Sequence, residues 1–213
     1  MTTGIGLFSG GLDSILAVKV LQEQGLYVEC VCFVTPFFGP EKAHLANRQL
    51  NIPLHVVDIT DAHLAMLKAP RYGFGKNMNP CIDCHGLMLR EAGALMDKFG
   101  AQFLFTGEVL GERPMSQNRN ALRSVEKLAG LQGRILRPLS AQLLPETTPE
   151  KDGSVDRSRL LAIEGRSRKP QMELVEKYGI KEFPEPAGGC LLGPNYESPR
   201  LEAPASYPQP ATT

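Results

Sequence analysis

Apolar residues recur along the first half of the chain in two alternating rhythms. Gly4 to Phe8 is a short apolar run that reads as a buried strand. From Ser14 to Gln24, Ile15, Leu16, Val18, Val20 and Leu21 form a helical stripe that stops at Gly25. Tyr27 to Val34, rich in β-branched and apolar residues, predicts a second strand, Pro40 to Leu50 a helix, and Leu54 to Ile59 a third strand. Met88, Ala92, Leu95, Met96 and Phe99 mark a helix that ends at Gly100. Gln102 to Phe105 predicts a fourth strand opening into Thr106-Gly107-Glu108, and Ile135 to Leu139 a short fifth. Strands alternating with helices in this way predict the α/β class: a doubly wound, Rossmann-like parallel sheet with helices on both faces.

Beyond about Asp156 the pattern turns helical and basic, which predicts a short helical C-terminal extension. The last twenty residues contain five prolines and almost no periodicity. The expected organisation is therefore an α/β domain over 1–145, a small basic helical segment over 146–193 carrying Cys190, and a Pro-rich flexible tail over 194–213. A chain of 213 residues with 42% hydrophobic and 22% charged residues has ordinary globular composition. Lys plus Arg number 23 and Asp plus Glu 23, so overall charge selects no partner. No stretch approaches the roughly 18 apolar residues of a membrane helix, and the N-terminus runs straight into a strand pattern. These features predict a cytoplasmic protein that does not engage a membrane. Five cysteines, two of them in Cys81-Ile-Asp-Cys84, argue for reduced thiols and against a disulfide framework.

The sequence Ser9-Gly10-Gly11-Leu12-Asp13-Ser14 sits between the first strand and the first helix. Unpaired backbone N–H groups converge at such a junction and the helix dipole adds positive potential, which makes an anion site. Gly10 and Gly11 let the backbone approach phosphate oxygens, Ser9 and Ser14 add hydroxyls, and Asp13 is placed to hold Mg2+. The spacing is neither that of the dinucleotide fingerprint nor that of a Walker A loop.

Asn79-Pro80-Cys81-Ile82-Asp83-Cys84-His85 reads as a helix start, with Asn79 as N-cap and Pro80 in the first helical position. Cys81 and Cys84 then share one face of the first turn, where the dipole is expected to lower their thiol pKa. Cys190 lies far along the chain, after Gly188 and Gly189. Three arrangements compete: a persulfide-carrying redox pair, a Zn2+ site using His85, or three ligands of a [4Fe–4S] cluster. Zinc is disfavoured because His85, beside Cys84, points about 100° round the helix. Cys30 and Cys32, mid-strand among valines, are expected in the core.

The stretch Ser9 to Ser14 resembles, without a mismatch, the SGGxDS signature of the PP-loop ATP pyrophosphatases. The resemblance implies an adenine nucleotide alpha hydrolase-like fold that binds ATP with Mg2+, releases pyrophosphate and leaves AMP on a carbonyl oxygen for a nucleophile to displace. A CxxC with one distant cysteine resembles the cluster-dependent tRNA thiolases of that superfamily. Residues 77 to 145, then "EGRSRKPQ" and "PEPAGGCLL", are similar to a short bacterial tRNA thiouridylase-like group. What this implies is an ATP-dependent tRNA sulfurtransferase with Asp13, Cys81 and Cys190 catalytic, and with Cys81, Cys84 and Cys190 on a [4Fe–4S] cluster. ATP would be held by Ser9, Gly10, Gly11, Leu12, Asp13, Ser14, Thr106 and Gly107, and tRNA by Arg113, Arg166 and Arg168. Tyr72 and Phe74, in the basic loop from Pro70 to Pro80, offer rings for a base. The implied partners are tRNA and a sulfur donor, with a homodimer or another protein supplying further grip on tRNA. The rivals are an amide-forming or small-molecule ligase with structural zinc, and a non-catalytic ATP-binding module.

Overall fold

The computed structural model of the chain describes residues 3–75, 79–184 and 190–192. Gly188, Gly189 and the tail over 194–213 lie outside the described residues. The elements run β1 (Thr3–Leu7), α1 (Leu12–Glu23), β2 (Tyr27–Val34), α2 (Glu41–Leu50), β3 (Leu54–Asp58), α3 (Thr60–Lys68), α4 (Cys81–Phe99), β4 (Phe103–Thr106), α5 (Arg119–Ala129), β5 (Ile135–Leu136), α6 (Thr148–Lys151) and α7 (Lys169–Tyr178). All five strands are parallel, in the order β3-β2-β1-β4-β5. The chain leaves the central strand β1 toward one edge and returns to its other side at β4. The crevice beyond the carboxyl ends of β1 and β4 is therefore the switch point at which doubly wound sheets bind ligands.

Alternation along the strands sends side chains to two cores. One face of the sheet packs Phe103, Phe105, Val28 and Cys30 against α1, α2 and α7; the other packs Ile5, Val31, Phe33 and Leu104 against α4 and α5. Gly4 and Gly6 of β1 lie under the rings of Phe103 and Phe105, where a Cβ would stand 2.5 and 2.3 Å from ring carbons. Cys30 and Cys32 are core residues, as expected; burial pushes the Cys32 thiol up to about 11. The segment after 145 does not stand apart: Val155, Leu160, Ile163, Val175 and Ile180 share the core of α1.

Three local readings differ from the sequence expectation. The helix α3 carries no strong apolar stripe and its only buried residue is His63, so periodicity gave no sign of it. The helix α5 begins on an Asn118 side chain that accepts from the Ala121 N–H at 2.9 Å, a cap hidden among polar loop residues. At α4, Pro80 is the N-cap position and Asn79 does not cap: its carbonyl accepts the N–H groups of Gly75 and Cys81, and its amide approaches Cys81 Sγ at 3.4 Å.

Candidate functional site

The turn after β1 is held from both sides. Gly10 has φ +75°, and a Cβ there would stand 2.2 Å from the Lys42 carbonyl oxygen in the first turn of α2. Only glycine fits such an approach in that conformation. Ser9 Oγ accepts the Gly11 N–H at 3.2 Å, and Ser14 Oγ donates to the Gly11 carbonyl at 2.7 Å. The N-cap position of α1 is Gly11, which has no side chain to take up the first N–H groups of the helix. Opposite, the end of β4 abuts the turn, because a Cβ on Gly107 would lie 2.5 Å from the backbone of Asp13 and Ser14. Ser9 through Ser14, Thr106 and Gly107 are thus one locus.

Asp13 is surrounded by residues from two distant segments, the loop after β4 and the start of α7. Burial raises its carboxyl pKa, against a hydrogen bond from Gln171 Nε2 at 3.4 Å and the charges of Arg168 and Arg113. Glu112 is raised as well, by burial and then by Asp13 itself. Gln171 is fully buried, and its Oε1 has no partner among the described residues; Arg168 Nε is likewise unpartnered. A buried, unpaired acceptor beside two carboxylates and two guanidinium groups suits a site that receives a cation with a polyphosphate. Glu112 and Gln171 were not identifiable from the sequence; Gln171 is 158 positions from Asp13. Arg113 and Arg168 face this locus, and Arg166 is exposed.

A second set of groups hangs on the same end of β4. Thr106 Oγ1 donates to Glu108 Oε2 at 3.1 Å, His85 Nδ1 meets Glu108 Oε1 at 3.0 Å, and Arg137 Nε donates to Glu108 Oε2 at 3.0 Å. Arg137 also donates to Glu126 Oε1 at 2.5 Å. Burial alone would raise the Glu108 carboxyl; the Arg137 charge and the His85 contact hold it down, at about 2. Glu108, Ser116 and Gln117 are buried, so Glu108 acts as an internal tie between β4, α4 and β5. His85 is turned toward this tie.

Cys84 precedes His85 and faces inward. His63 Nε2 lies 3.6 Å from Cys84 Sγ, between the rings of Phe37 and Phe38, each with its centroid 5.5 Å from that of His63. The Leu191 N–H donates to the Phe37 carbonyl at 2.9 Å, which brings Cys190 to the same corner. Cys84 is pushed up to about 12, by burial and then by Cys190, Cys81 and Asp83 beside it; Cys190 is raised by burial and by Cys81. The three predicted thiols are neighbours. The expected lowering of the Cys84 thiol by the helix N-terminus does not occur, because burial outweighs the dipole. Among the described residues, no group of three or more His, Cys, Asp and Glu side chains is arranged to hold a metal ion. No helix among them is long and apolar enough to cross a membrane.

A parallel doubly wound sheet with an SGGLDS turn at its switch point defines an α/β domain of the PP-loop class. The chain belongs to the family described as Thiamine biosynthesis protein (ThiI), whose model matches residues 1–142. It is 36% identical over 117 residues to the tRNA-specific 2-thiouridylase MnmA of Syntrophotalea carbinolica, covering 46% of this chain and 32% of that one. It is 31% identical over 117 residues to a protein named "Probable tRNA sulfurtransferase" from Thermoanaerobacter sp., covering 50% of this chain and 29% of that one. The chain spans about a third of the length of these curated relatives. A 4-thiouridine synthetase solved with RNA and ATP shares the fold at a TM-score of 0.53 and 22% identity, over 84% of this chain and 52% of that one.

Proposed function

We propose that the chain is an ATP-dependent sulfurtransferase that adenylates a uridine carbonyl oxygen in tRNA and replaces that oxygen with sulfur. One observation carries the reading: a short path joins the phosphate turn to the thiols. Gly107 rests on Asp13 and Ser14, Glu108 follows it and meets His85, and His85 follows Cys84. On this reading the activating site and the sulfur site lie at one end of the sheet.

The residues divide the work accordingly. Backbone N–H groups of Gly10 and Leu12 receive the β and γ phosphates, with the hydroxyls of Ser9 and Ser14 beside them. Asp13, with Glu112 facing it, would hold Mg2+, which would supply positive charge for the departing pyrophosphate, and Arg113 and Arg168 offset the charge that builds there. Attack of the uridine oxygen on the α phosphorus expels pyrophosphate. Sulfur then attacks the activated carbon, and AMP departs with the original oxygen.

Cys81, Cys84 and Cys190 suit thiolate-bound iron in kind and number. A single ion needs its ligands converged on one point, whereas a [4Fe–4S] cluster takes each thiolate on a separate iron. When bound, such a cluster supplies an open iron position for the sulfide that is transferred. The protein's own part is to bring that sulfur next to the adenylated base and to keep water out, which the aromatic packing of Phe37 and Phe38 around His63 favours.

The test is direct. Purified protein incubated anaerobically with ATP, Mg2+, sulfide and unmodified tRNA is expected to form thiouridine, AMP and pyrophosphate in equal amounts. Nucleoside mass spectrometry on a strain lacking the gene should show one thionucleoside missing; an unchanged profile removes the proposal.

A further inference from the structure

The loop before α4 is anchored at a cost that the core does not explain. Asp83, 6% exposed, lies between Cys81 and Cys84, and its two carboxylate oxygens accept the N–H groups of Arg71 at 2.8 Å and Tyr72 at 2.9 Å. The Gly73 N–H donates to the Pro70 carbonyl at 3.3 Å and the Gly75 N–H to the Asn79 carbonyl at 3.2 Å. A buried carboxylate is thus committed to fixing a few backbone atoms. The rings carried on this stretch of backbone are exposed, Tyr72 at 43% and Phe74 at 37%. Gly73, between them in sequence, has open space beside it: a Cβ added there would meet no atom of the other described residues within 4 Å.

We propose that Tyr72 and Phe74 are a stacking platform for an unpaired base of the RNA, held by Asp83 beside the turn that carries Cys81 and Cys84. The inference rests on the tRNA thiolation reading and names the subsite that presents the base. A loop backbone fixed in advance leaves only the ring rotamers to be ordered on binding, which lowers the entropic cost of a stacking contact. The exposed Arg71 of the same loop adds a positive charge for a neighbouring phosphate. A nucleobase matches this combination of a flat apolar surface, an adjacent cation and nearby thiols. The face of a base stacks on the rings while its edge stays free for chemistry.

The chain has no tryptophan, so Tyr72→Trp installs a single indole reporter in the platform. Oligouridylate is expected to quench its fluorescence, and an abasic ribose-phosphate oligomer of equal length is not. Tyr72→Ala and Phe74→Ala should each weaken oligouridylate binding on the order of tenfold, while Phe74→Tyr should bind like the parent. Thermal unfolding and ATP affinity of all variants should match the parent. Equal quenching by the abasic oligomer, or alanine variants that bind RNA normally, would overturn the platform. Alanine variants that bind RNA normally but fail to accept sulfur from a carrier protein would assign the rings to that protein instead. The assay reads binding without turnover, so a parent protein that binds oligouridylate here and yet forms no thiouridine would defeat the thiolation reading and leave the platform standing.

Discussion

Gly107 at the end of β4 touches the backbone of Asp13 so closely that a Cβ would stand 2.5 Å from the Asp13 carbonyl carbon and the Ser14 nitrogen. Both are backbone atoms in the first turn of α1, which cannot yield as a flexible side chain can. Gly107→Ala should push β4 and the phosphate turn apart. ATP affinity is expected to fall about tenfold or more, with the urea midpoint lowered by about 1–3 kcal/mol of stability. Titration of ATP by calorimetry decides it; unaltered affinity would mean that this contact does not shape the phosphate site.

The buried Glu108 carboxylate makes a pH prediction of definite sign. Its folded pKa of about 2 lies below the usual carboxylate value. The stability it contributes is therefore full above the unfolded pKa, near 4.3, and lost as pH falls through the folded one. That contribution is at most about 3 kcal/mol at neutral pH. Urea midpoints measured from pH 6 down to about pH 2 should fall steeply for the parent chain. Glu108→Gln should be less stable at pH 7 by about 1–3 kcal/mol, since it weakens the pairing of Arg137, and should lose less on acidification. Parallel pH profiles for the two proteins would contradict the assignment.

How much of this was legible beforehand depended on the range of the interactions. The order of β1, α1, β2, α2 and β3, and the helix opening at Cys81, follow from periodicity and glycine punctuation within a few residues. So do the phosphate turn and the pairing of Cys81 with Cys84, because both are local motifs. The second layer was not legible. Gln171, Glu112 and His63 are ordinary residues in unremarkable stretches, and their placement arises only when the fold brings α7, the loop after β4 and α3 to one end of the sheet; Asp83 sits inside a visible motif, but its hold on the Arg71 and Tyr72 N–H groups is not legible there. Arg168 shows the same limit: its sequence neighbours suggest a solvated basic run, whereas its charge lies beside Asp13.

If Cys81, Cys84 and Cys190 hold a cluster, metal content should follow the thiols. Protein purified without oxygen is expected to carry about four irons per chain and visible thiolate-to-iron absorption. Cys81→Ser, Cys84→Ser and Cys190→Ser should each lose most of that iron, whereas Cys30→Ala should keep it and lose about 1 kcal/mol from the core. Ion quantification by mass spectrometry is the measurement. One zinc per chain with no iron would replace the cluster by a structural site.

Arg166 and Arg168 are two positions apart and should separate cleanly by function. Arg168 sits close enough to Asp13 for its charge to act on that carboxyl, with an unpartnered Nε, whereas Arg166 is exposed. Arg168→Ala should therefore weaken ATP binding by about tenfold, as Gln171→Leu should by a few-fold through the lost hydrogen bond to Asp13. Neither should change the salt dependence of tRNA binding. Arg166→Ala should leave ATP affinity intact and reduce the slope of log affinity against log salt by about one, the signature of a single lost phosphate contact. Filter binding at several salt concentrations, with and without ATP, measures both quantities in one experiment. If Arg168→Ala alters the salt slope and Arg166→Ala does not, their roles are exchanged, and the RNA path must run over the phosphate turn itself.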